Sequence, residues 1–512
     1  MGFSSDYPIV PEWAPRDTGY PEGERVRYQG NIFIATSPAV AKPGVDSGWV
    51  LHDELYDVTS PAGWPEPSRI IAYLPTWLEG FDYKNDELYR HITHGIIAFL
   101  TFSETKLGEL DADSLKEVER IVGDVVSTGH AHGARIMIAL GGADDFAFLR
   151  FMAETGAHLS VSAGGSTFTS AKAEQRFNKA AQDVAAYVLS HDLDGVDLDL
   201  EGWWGEEVAG EAQSGRLKEQ GPHPAGYALT AFAAKLRQLL PGKLISAAVF
   251  AAPGYGNNYD AKLADYVDWL GIMSYDLTGS WNSSPVGPHT ALLKVRNQNA
   301  YVAEQQGEWP GGPSNNPIFS VEEALWYWTN PFYTNLQGAG QRLPRSKVTV
   351  GVPIYGYDFA YGKAPEDGTE QEPPEGYKSI SYRDILEQFP EASVAPNANL
   401  KVPGSTPRPP FISKPGRYPF AHNIYFETPA TAVDKLEFTR RMGATGVIIW
   451  ELSNDVWEEG RSIIKALYRS SGNPGAGRVS PLPTAKFLRI HLERGESKNL
   501  TGAGHATPSP VR

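Results

Sequence analysis

Three carboxylates at alternating positions form the clearest chemical pattern in the sequence. In the segment LDGVDLDLEGWW, residues 193–204, single aliphatic residues separate Asp197, Asp199 and Glu201. Two residues is the repeat of a β-strand, so the pattern predicts a strand with the acids on one face and the aliphatic side chains on the other. Neighbouring carboxylates repel one another when ionised, which raises the pKa of at least one of them. Such a strand could hold an acid protonated near neutral pH for proton transfer.

A half-exposed strand with its polar face in water would show the same alternation. The flanking residues argue against that interpretation. A helical pattern precedes the strand, and Trp203 and Trp204 follow it, which is typical of a buried parallel strand that ends in a pocket.

Eight apolar, strand-like runs would form the scaffold that positions these acids. From Ser68 onward they alternate with helix-length amphipathic segments, and their sequences are RIIAYLP, HGIIAFLTF, ARIMIALGG, DGVDLDLE, LISAAVFAA, VDWLGIMSYD, KVTVGVPIYG and TGVIIWEL. This alternation predicts an α/β fold, and the number of runs favours a (β/α)8 TIM barrel. An open doubly wound sheet is the alternative, but no Gly-x-Gly-x-x-Gly turn follows the first run.

The remaining segments predict the domain organisation. Residues 1–53 have short β patterns and predict a small all-β module, and residues 54–67 hold three prolines and predict a linker. The barrel is expected over 68–470. Between its seventh and eighth runs, residues from about 357 to 425 are too many for a simple loop and predict a small α+β insertion. The tail, 471–512, is expected to be partly flexible.

Composition excludes several classes of function. The formal net charge of −16 over 512 residues argues against binding to nucleic acid, and no apolar run is long enough to span a membrane. The absence of cysteine excludes disulfides, a thiolate nucleophile and cysteine-ligated metal. There is no His-Glu-x-x-His motif, and His130 with His132 is interpreted as a helix end or loop. We therefore expect no metal and no cofactor.

Four further segments, together with the acidic strand, carry a family resemblance. DGVDLDLE resembles the Asp-Gly-x-Asp-x-Asp-x-Glu signature of glycoside hydrolase family 18, the chitinases and their relatives. GIMSYDLTGSW and GPHTALL are similar to that family's sixth strand and the loop after it, and GVPIYG and GVIIWELSND are similar to its seventh and eighth strands. The similar segments cover roughly residues 68–468, in the order that a barrel requires.

The resemblance implies a role for each acid. Glu201 would be the general acid and then the base, Asp199 would orient and stabilise the substrate's own acetamido group, and Asp197 would share a proton with Asp199. Tyr275 would hydrogen-bond the same acetamide. The implied substrate contacts are Trp450, which would stack under the sugar, and Met273, Asp276, Tyr73, Phe99 and Trp281.

A glycosidase usually needs two carboxylates, one on each side of the bond, yet here all three acids share one strand. A nucleophile supplied by an N-acetyl substrate removes that difficulty. The sequence thus predicts a retaining, substrate-assisted chitinase that acts on chitin or N-acetylglucosamine oligosaccharides. An endo-β-N-acetylglucosaminidase acting on N-glycans and a non-catalytic chitin lectin are the alternatives, and the presence of Glu201 disfavours the lectin. We expect a monomer, and an extracellular protein: the first residues show no secretory signal, so the sequence would be a mature form or use unconventional export.

Three positions depart from the family pattern. The third strand usually ends in Ser-x-Gly-Gly followed by an aromatic residue, but here Ala139 and Ala143 take the places of the serine and the aromatic. The serine that would hydrogen-bond the innermost Asp is thus missing, which predicts altered proton sharing around Asp197. Tyr357 stands where the seventh strand usually carries arginine.

The amino-terminal residues carry a second resemblance. Their pattern is similar to the small chitin-binding modules of carbohydrate-binding families 5 and 12, through Tyr20, Gly23, Val26, Tyr28, Gly30, Phe33, Ala35 and Trp49. The exposed tandem aromatics of such modules are replaced by Ser37 and Pro38. A chitin-binding module and a structural module without affinity for sugar both remain open.

Overall fold

The structure is a computed structural model. It describes residues 68–162, 165–204, 216–279, 287–293, 318–330, 333–335, 338–359, 379–390, 392, 399–403 and 420–473, together with 13, 15–16, 19–22, 24–28, 31–36, 42–43 and 48–51. The chain divides into two compact units. One comprises Met1–Gly63 and Arg478–Arg512, and the other comprises Trp64–Gly477.

Eight parallel strands of the larger unit close into a barrel. They are β1 Arg69–Pro75, β2 His94–Leu100, β3 Arg135–Gly142, β4 Gly195–Leu200, β5 Leu244–Phe250, β6 Trp269–Met273, β7 Val348–Pro353 and β8 Gly446–Trp450. Each strand pairs with its neighbours in chain order, and β8 pairs with β1 to close the ring. All eight predicted runs are therefore barrel strands, and the prediction of a (β/α)8 barrel is confirmed.

The strands carry long apolar runs because both of their faces are buried. Every residue of β4 is buried, including its two aspartates. Inward side chains of several strands meet in one core inside the barrel, formed by Ile71, Tyr73, Ile96, Ala98, Met137, Ala139, Ala248, Trp269, Met273 and Ile448. This packing makes the barrel interior solid, so that substrate can reach only the ends of the strands.

Helices connect the strands. They are α1 Ala112–Glu119, α2 Val122–Ala131, α3 Phe146–Ala157, α4 Ala171–Ser190, α5 Pro224–Leu239, α6 Pro253–Gly256, α7 Val321–Thr329, α8 Tyr382–Gln388, α9 Pro429–Arg441 and α10 Ile463–Ser470. Short 3-10 helices span Asp86–Leu88, Lys218–Gln220, Ala261–Asp265, Arg345–Lys347 and Leu452–Asn454. Among the described residues, no helix is long and apolar enough to cross a membrane.

A small α+β insertion lies between β7 and β8, as predicted. Its antiparallel sheet has the spatial order Ser379–Ser381, Tyr355–Asp358, Phe420–Tyr425 and Asn399–Pro403, and α8 follows the first of these strands. Two shorter hairpins pair Leu159–Ser162 with Gly165–Phe168 and Thr334–Asn335 with Gly338–Ala339. The insertion matters for the site because its strand Tyr355–Asp358 begins two residues after β7 ends.

The smaller unit contains a three-stranded antiparallel sheet of Arg25–Tyr28, Asn31–Ala35 and Trp49–Leu51. Tyr20, Phe33 and Trp49 are buried in it, and the Tyr20 and Trp49 rings meet edge to face with centroids 5.3 Å apart. These aromatic side chains form a core and do not present a flat ring to a sugar. Their burial fits either kind of module, and Ser37 and Pro38, which replace the tandem aromatics, lie outside the described residues, so chitin binding by this unit stays a prediction.

Two predictions fall mainly outside the described residues. The whole linker, 54–67, lies outside the described residues, which resume at Ser68. The tail is described only to Asn473. The predicted domain boundaries accordingly stay predictions.

Candidate active site

The three acids follow one another along β4 and out of its carboxyl end. Asp197 lies opposite Ala139 of β3 and Ser246 of β5, and Asp199 lies opposite Gly141 and Ala248. Glu201 comes directly after the strand and is partly exposed, whereas both aspartates are buried. The acids thus lead from the barrel interior to its mouth, where active sites of such barrels lie.

Glycine at the end of β3 makes room for this strand. Gly141 has a φ of 106°, and a Cβ there would lie 2.1 Å from the backbone oxygen of Asp199. Gly142, with a φ of 101°, would place a Cβ against the ring of Phe99. The Gly-Gly pair is required because both the backbone conformation and the close approach exclude a side chain.

Asp197 is held by two hydroxyl groups. The Tyr73 hydroxyl donates to Oδ2 at 2.8 Å, and the Ser246 hydroxyl donates to Oδ1 at 2.5 Å. Burial raises the pKa of Asp197, and these two hydrogen bonds act in the opposite direction. The serine that the family pattern places on β3 is therefore replaced by a serine on the other neighbouring strand, at the same register position. Altered proton sharing had been predicted from the missing serine alone, without this replacement.

The role of the Ser246 hydroxyl can be tested by removing it and then by placing a hydroxyl at position 139 of β3, where the family pattern has its serine. Ser246→Ala should lower kcat/KM on N-acetylglucosamine oligomers by about ten- to a hundredfold, because a buried hydrogen bond to a charged group is worth about 1.5–3 kcal/mol. It should also shift the pH–rate profile, because one of the two bonds that stabilise ionised Asp197 is lost.

The double variant Ser246→Ala with Ala139→Ser is the matched control. Ala139 is buried directly opposite Asp197, so a serine there should restore much of the activity and the original pH profile. Equal defects in the single and double variants, with normal folding, would show that Ser246 does not act through a hydroxyl on Asp197.

Asp199 and Glu201 are hydrogen-bonded to each other and retain protons unusually well. Burial raises the pKa of Glu201 to about 8; the hydrogen bond with Asp199 opposes that rise, and the charges of Asp276 and Asp144 add to it. Burial also raises the pKa of Asp199 well above its usual range, and the charges of Glu201 and Asp197 add to this effect. The pair therefore holds a transferable proton at neutral pH, as general acid catalysis requires.

One oxygen of this pair has no hydrogen-bond donor among the described residues. The Oδ1 atom of Asp199 is buried and accepts no hydrogen bond from the part of the chain that the structure describes. A buried acceptor without a donor is unfavourable in the free protein, and a donor on a bound ligand would relieve that cost.

Tyr275 lies beside the acids, just beyond β6. Burial raises the pKa of its hydroxyl well above the usual range, and the charges of Asp199 and Glu201 add to this rise. The ring crosses β7 at Gly351, where an added Cβ would come within 2.6 Å of it. Met273, two residues earlier, is buried in the barrel core, with Tyr275 packed against that core. Both residues thus lie at the mouth end of β6, and their contacts with substrate stay predictions.

Asp276 is held at the mouth by the insertion. The hydroxyls of Tyr355 and Tyr357 donate to its Oδ1 at 2.6 and 2.9 Å, and Nδ1 of the buried His289 lies 3.6 Å from the same oxygen. Asp276 has a φ of 53°, a left-handed conformation that is unusual for a residue other than glycine. Tyr357, which stands in place of the expected arginine, therefore supplies a neutral donor to this carboxylate.

Three aromatic rings surround Trp450 at the end of β8. Phe99 stacks on it with centroids 5.6 Å apart and an interplanar angle of 24°, and Tyr73 lies 5.5 Å away. Trp77, 6.2 Å from Trp450 and stacked on Phe99, is 52% exposed. The family resemblance predicts Tyr73, Phe99 and Trp450 as contacts but not Trp77, although the position of this tryptophan, two residues after the first strand, is visible in the sequence.

The two tryptophans after Glu201 have opposite surroundings. Trp203 is fully buried, and its indole N–H donates to the Tyr259 hydroxyl at 3.0 Å, whereas Trp204 is 48% exposed. Gly202 between them and the acid has a φ of 72°, which lets the chain turn sharply there. Trp203 is thus a core residue and Trp204 a surface residue of the mouth. The predicted contact Trp281 lies outside the described residues.

No cluster of three or more potential metal ligands occurs among the described residues. His130 and His132 lie at the end of α2, as predicted, and pair with Asp194 at 2.8 Å and Asp86 at 3.0 Å. The residues at the mouth can transfer protons between neighbouring carboxylates beside a wall of aromatic rings, which suits a sugar substrate.

A closed barrel with coupled acids and exposed tryptophans at its mouth defines an enzyme of the glycoside hydrolase class. Comparison with known families agrees, because residues 69–455 match the model described as glycosyl hydrolases family 18. The match covers most of the chain, and the protein belongs to this family. The predicted family and enzyme class are confirmed.

Individual relatives are more distant. Chitinase 63 of Streptomyces plicatus is 26% identical over 301 residues, which cover 54% of this chain and 41% of that protein. Catalytic domain 2 of the group II chitinase of Ostrinia furnacalis, in complex with (NAG)5, is 21% identical with a TM-score of 0.54, over 79% of this chain and 96% of that one. The class V chitinase of Nicotiana tobaccum, in complex with NAG4, is 15% identical with a TM-score of 0.51, over 79% and 99%. These two structural likenesses show the shared fold.

Proposed function

We propose that the protein is a chitinase that hydrolyses β-1,4 bonds between N-acetylglucosamine units by a retaining, substrate-assisted mechanism. The observation that carries the proposal is the pairing of Asp199 with Glu201. Glu201 holds a transferable proton, and Oδ1 of Asp199 is a buried acceptor without a donor among the described residues. The amide N–H of a 2-acetamido group is such a donor. The names of the relatives, and the oligosaccharides bound in two of the related structures, support the same substrate class.

In the first step, Glu201 protonates the leaving oxygen while the acetamido oxygen attacks the anomeric carbon. The bond to the leaving sugar breaks, and a positively charged oxazolinium ion forms. Asp199 accepts the acetamide N–H and stabilises this charge once it is ionised, with its proton shared toward Asp197. Tyr275 orients the acetamido oxygen from the other side.

In the second step, Glu201 acts as the base. It removes a proton from a water molecule, which attacks the anomeric carbon and reopens the oxazoline ring. Because both steps invert the anomeric centre, configuration is retained overall although no protein carboxylate is glycosylated.

The stereochemistry and substrate requirement test this mechanism together. NMR of fresh hydrolysate should show the β-anomer first, and fully deacetylated chitosan or cellulose oligomers should not be cleaved. N-glycans offered in parallel should remain intact. Initial α-anomer, or cleavage of a substrate without the 2-acetamido group, would contradict the substrate-assisted step, whereas release of N-glycans in preference to chitin would replace the proposed substrate.

A further inference from the structure

Trp204 is an exposed aromatic residue on the acid's side of the barrel mouth. It is the third residue after Glu201, beyond the end of β4, and 48% of it is exposed. Trp450 and its neighbours Phe99 and Trp77 belong to β8, β2 and the segment after β1. Around the closed ring, β3, β4 and β5 follow β8, β1 and β2, so the two aromatic groups occupy different sides of the mouth.

The surroundings of Trp204 hold the ring without covering its faces by parallel stacking. Phe250, Phe146 and Tyr255 lie 5.9, 6.4 and 6.4 Å from it, with interplanar angles of 76°, 87° and 79°. Perpendicular neighbours of this kind are typical of edge-to-face packing. Three rings hold the Trp204 indole in place, and about half of its surface still lies open to a ligand.

The same side of the mouth lacks the aromatic residue that the family pattern places after the third strand. Ala143 occupies that position and is exposed. Phe146 follows three residues later, at the start of α3, whose first turn is capped by Asp145 through a hydrogen bond from the Phe148 amide at 2.8 Å. Although residue 143 carries no ring, Phe146 three residues later lies 6.4 Å from the Trp204 indole, so two aromatic rings meet near this position.

We propose that Trp204 is the stacking platform for the leaving-group sugar, and that it helps to determine which bond of the oligosaccharide is cut. This inference rests on the proposed function. In that mechanism Glu201 protonates the leaving oxygen, and the family resemblance implies that Trp450 lies under the sugar whose bond breaks, so the sugar beyond Glu201 is the leaving group. Among the described residues, Trp204 is an exposed aromatic residue on that side, and sugar rings present apolar faces suited to an indole.

The test is the cleavage pattern of an N-acetylglucosamine hexamer labelled at its reducing end. Trp204→Ala should lower kcat/KM about tenfold, the loss that corresponds to about 1.4 kcal/mol of binding. It should also move the preferred cut toward the reducing end, because binding registers with fewer sugars on the leaving-group side are then favoured. Trp204→Phe should keep much of the original pattern.

Trp77→Ala is the matched control, since Trp77 is equally exposed but lies beside Trp450. It should move the cut toward the non-reducing end. A wild-type cleavage pattern in Trp204→Ala, or a uniform loss at every bond, would overturn the inference and leave the chitinase proposal standing. Failure of the wild-type enzyme to cleave any oligomer would overturn both.

Discussion

Glu201→Gln is expected to abolish hydrolysis of N-acetylglucosamine oligomers while the barrel remains folded. The substitution keeps the size and much of the hydrogen bonding of the side chain but removes the transferable proton. General acid–base catalysis contributes about 10² to 10⁴ in rate, and the poor leaving group of a sugar–sugar bond places the loss at the upper end of that range or beyond it. Initial rates on a defined tetramer, with circular dichroism as a check on folding, measure the effect.

Glu79→Gln is the control for this variant. Glu79 is an exposed acid in the segment after β1, on the same end of the barrel, and it should tolerate the same change without loss of rate. Binding provides a second readout, because Glu201→Gln should still bind the tetramer through Trp450 and its neighbours. Turnover within a factor of ten of the wild type would remove Glu201 from the role of acid.

The barrel could be predicted from sequence because its signal is local. A parallel strand buried on both faces needs an uninterrupted run of apolar residues, and eight such runs separated by helix-length segments leave few alternatives to a closed sheet. The acids on β4 were equally visible, because alternating charge within such a run is unfavourable without a function. These features require no knowledge of which residues meet in space.

Ser246 shows what local signals omit. Its hydrogen bond to Asp197 depends on the register between β4 and β5, which is set by the whole ring and not by the sequence near either residue. A signal did exist, since Ser246 is the polar residue within the buried run LISAAVF. A polar side chain in a strand with two buried faces needs a partner, and an adjacent acidic strand was the obvious place to seek it.

Trp203 and Trp204 were indistinguishable in the sequence for a similar reason. Which of two adjacent indoles points inward depends on the turn at Gly202 and on the Tyr259 hydroxyl that receives the Trp203 N–H. Tyr259 lies 56 residues further along the chain. Likewise, the donor that Tyr357 provides to Asp276 depends on how the insertion folds back on the mouth.

The second large effect concerns stability: Glu201→Gln and Asp199→Asn are each expected to stabilise the protein at pH 8 more than at pH 5. The pKa of Glu201 is raised to about 8 in the folded protein from an ordinary value of 4.5, and that of Asp199 is also raised. The folded state therefore holds protons that the unfolded chain has already released. Its free energy of unfolding falls as pH rises through that window, by about 1.4 kcal/mol per pH unit for each fully retained proton.

Below the ordinary pKa both states are protonated and the penalty is absent. It grows as pH rises toward the folded pKa and stays constant above it, so an uncharged amide removes a penalty that is largest near pH 8. For the proton of Glu201 alone, the gain between pH 5 and pH 8 is bounded by about 4 kcal/mol. Removing the Glu201 charge also lowers the raised pKa of Asp199, so relief of the Asp199 penalty adds to the gain that is measured for Glu201→Gln.

Urea unfolding at pH 5, 6.5 and 8 measures the prediction, with Glu79→Gln as the exposed control whose midpoint should follow that of the wild type at each pH. The gain for Glu201→Gln should increase steadily across the series, in the variant that has lost hydrolysis. A gain that is equal at pH 5 and pH 8 would arise from packing and not from protons. Loss of stability of Glu201→Gln at pH 8 would mean that ionised Glu201 does not destabilise the folded protein. The raised pKa on which general acid catalysis by Glu201 depends would then be absent.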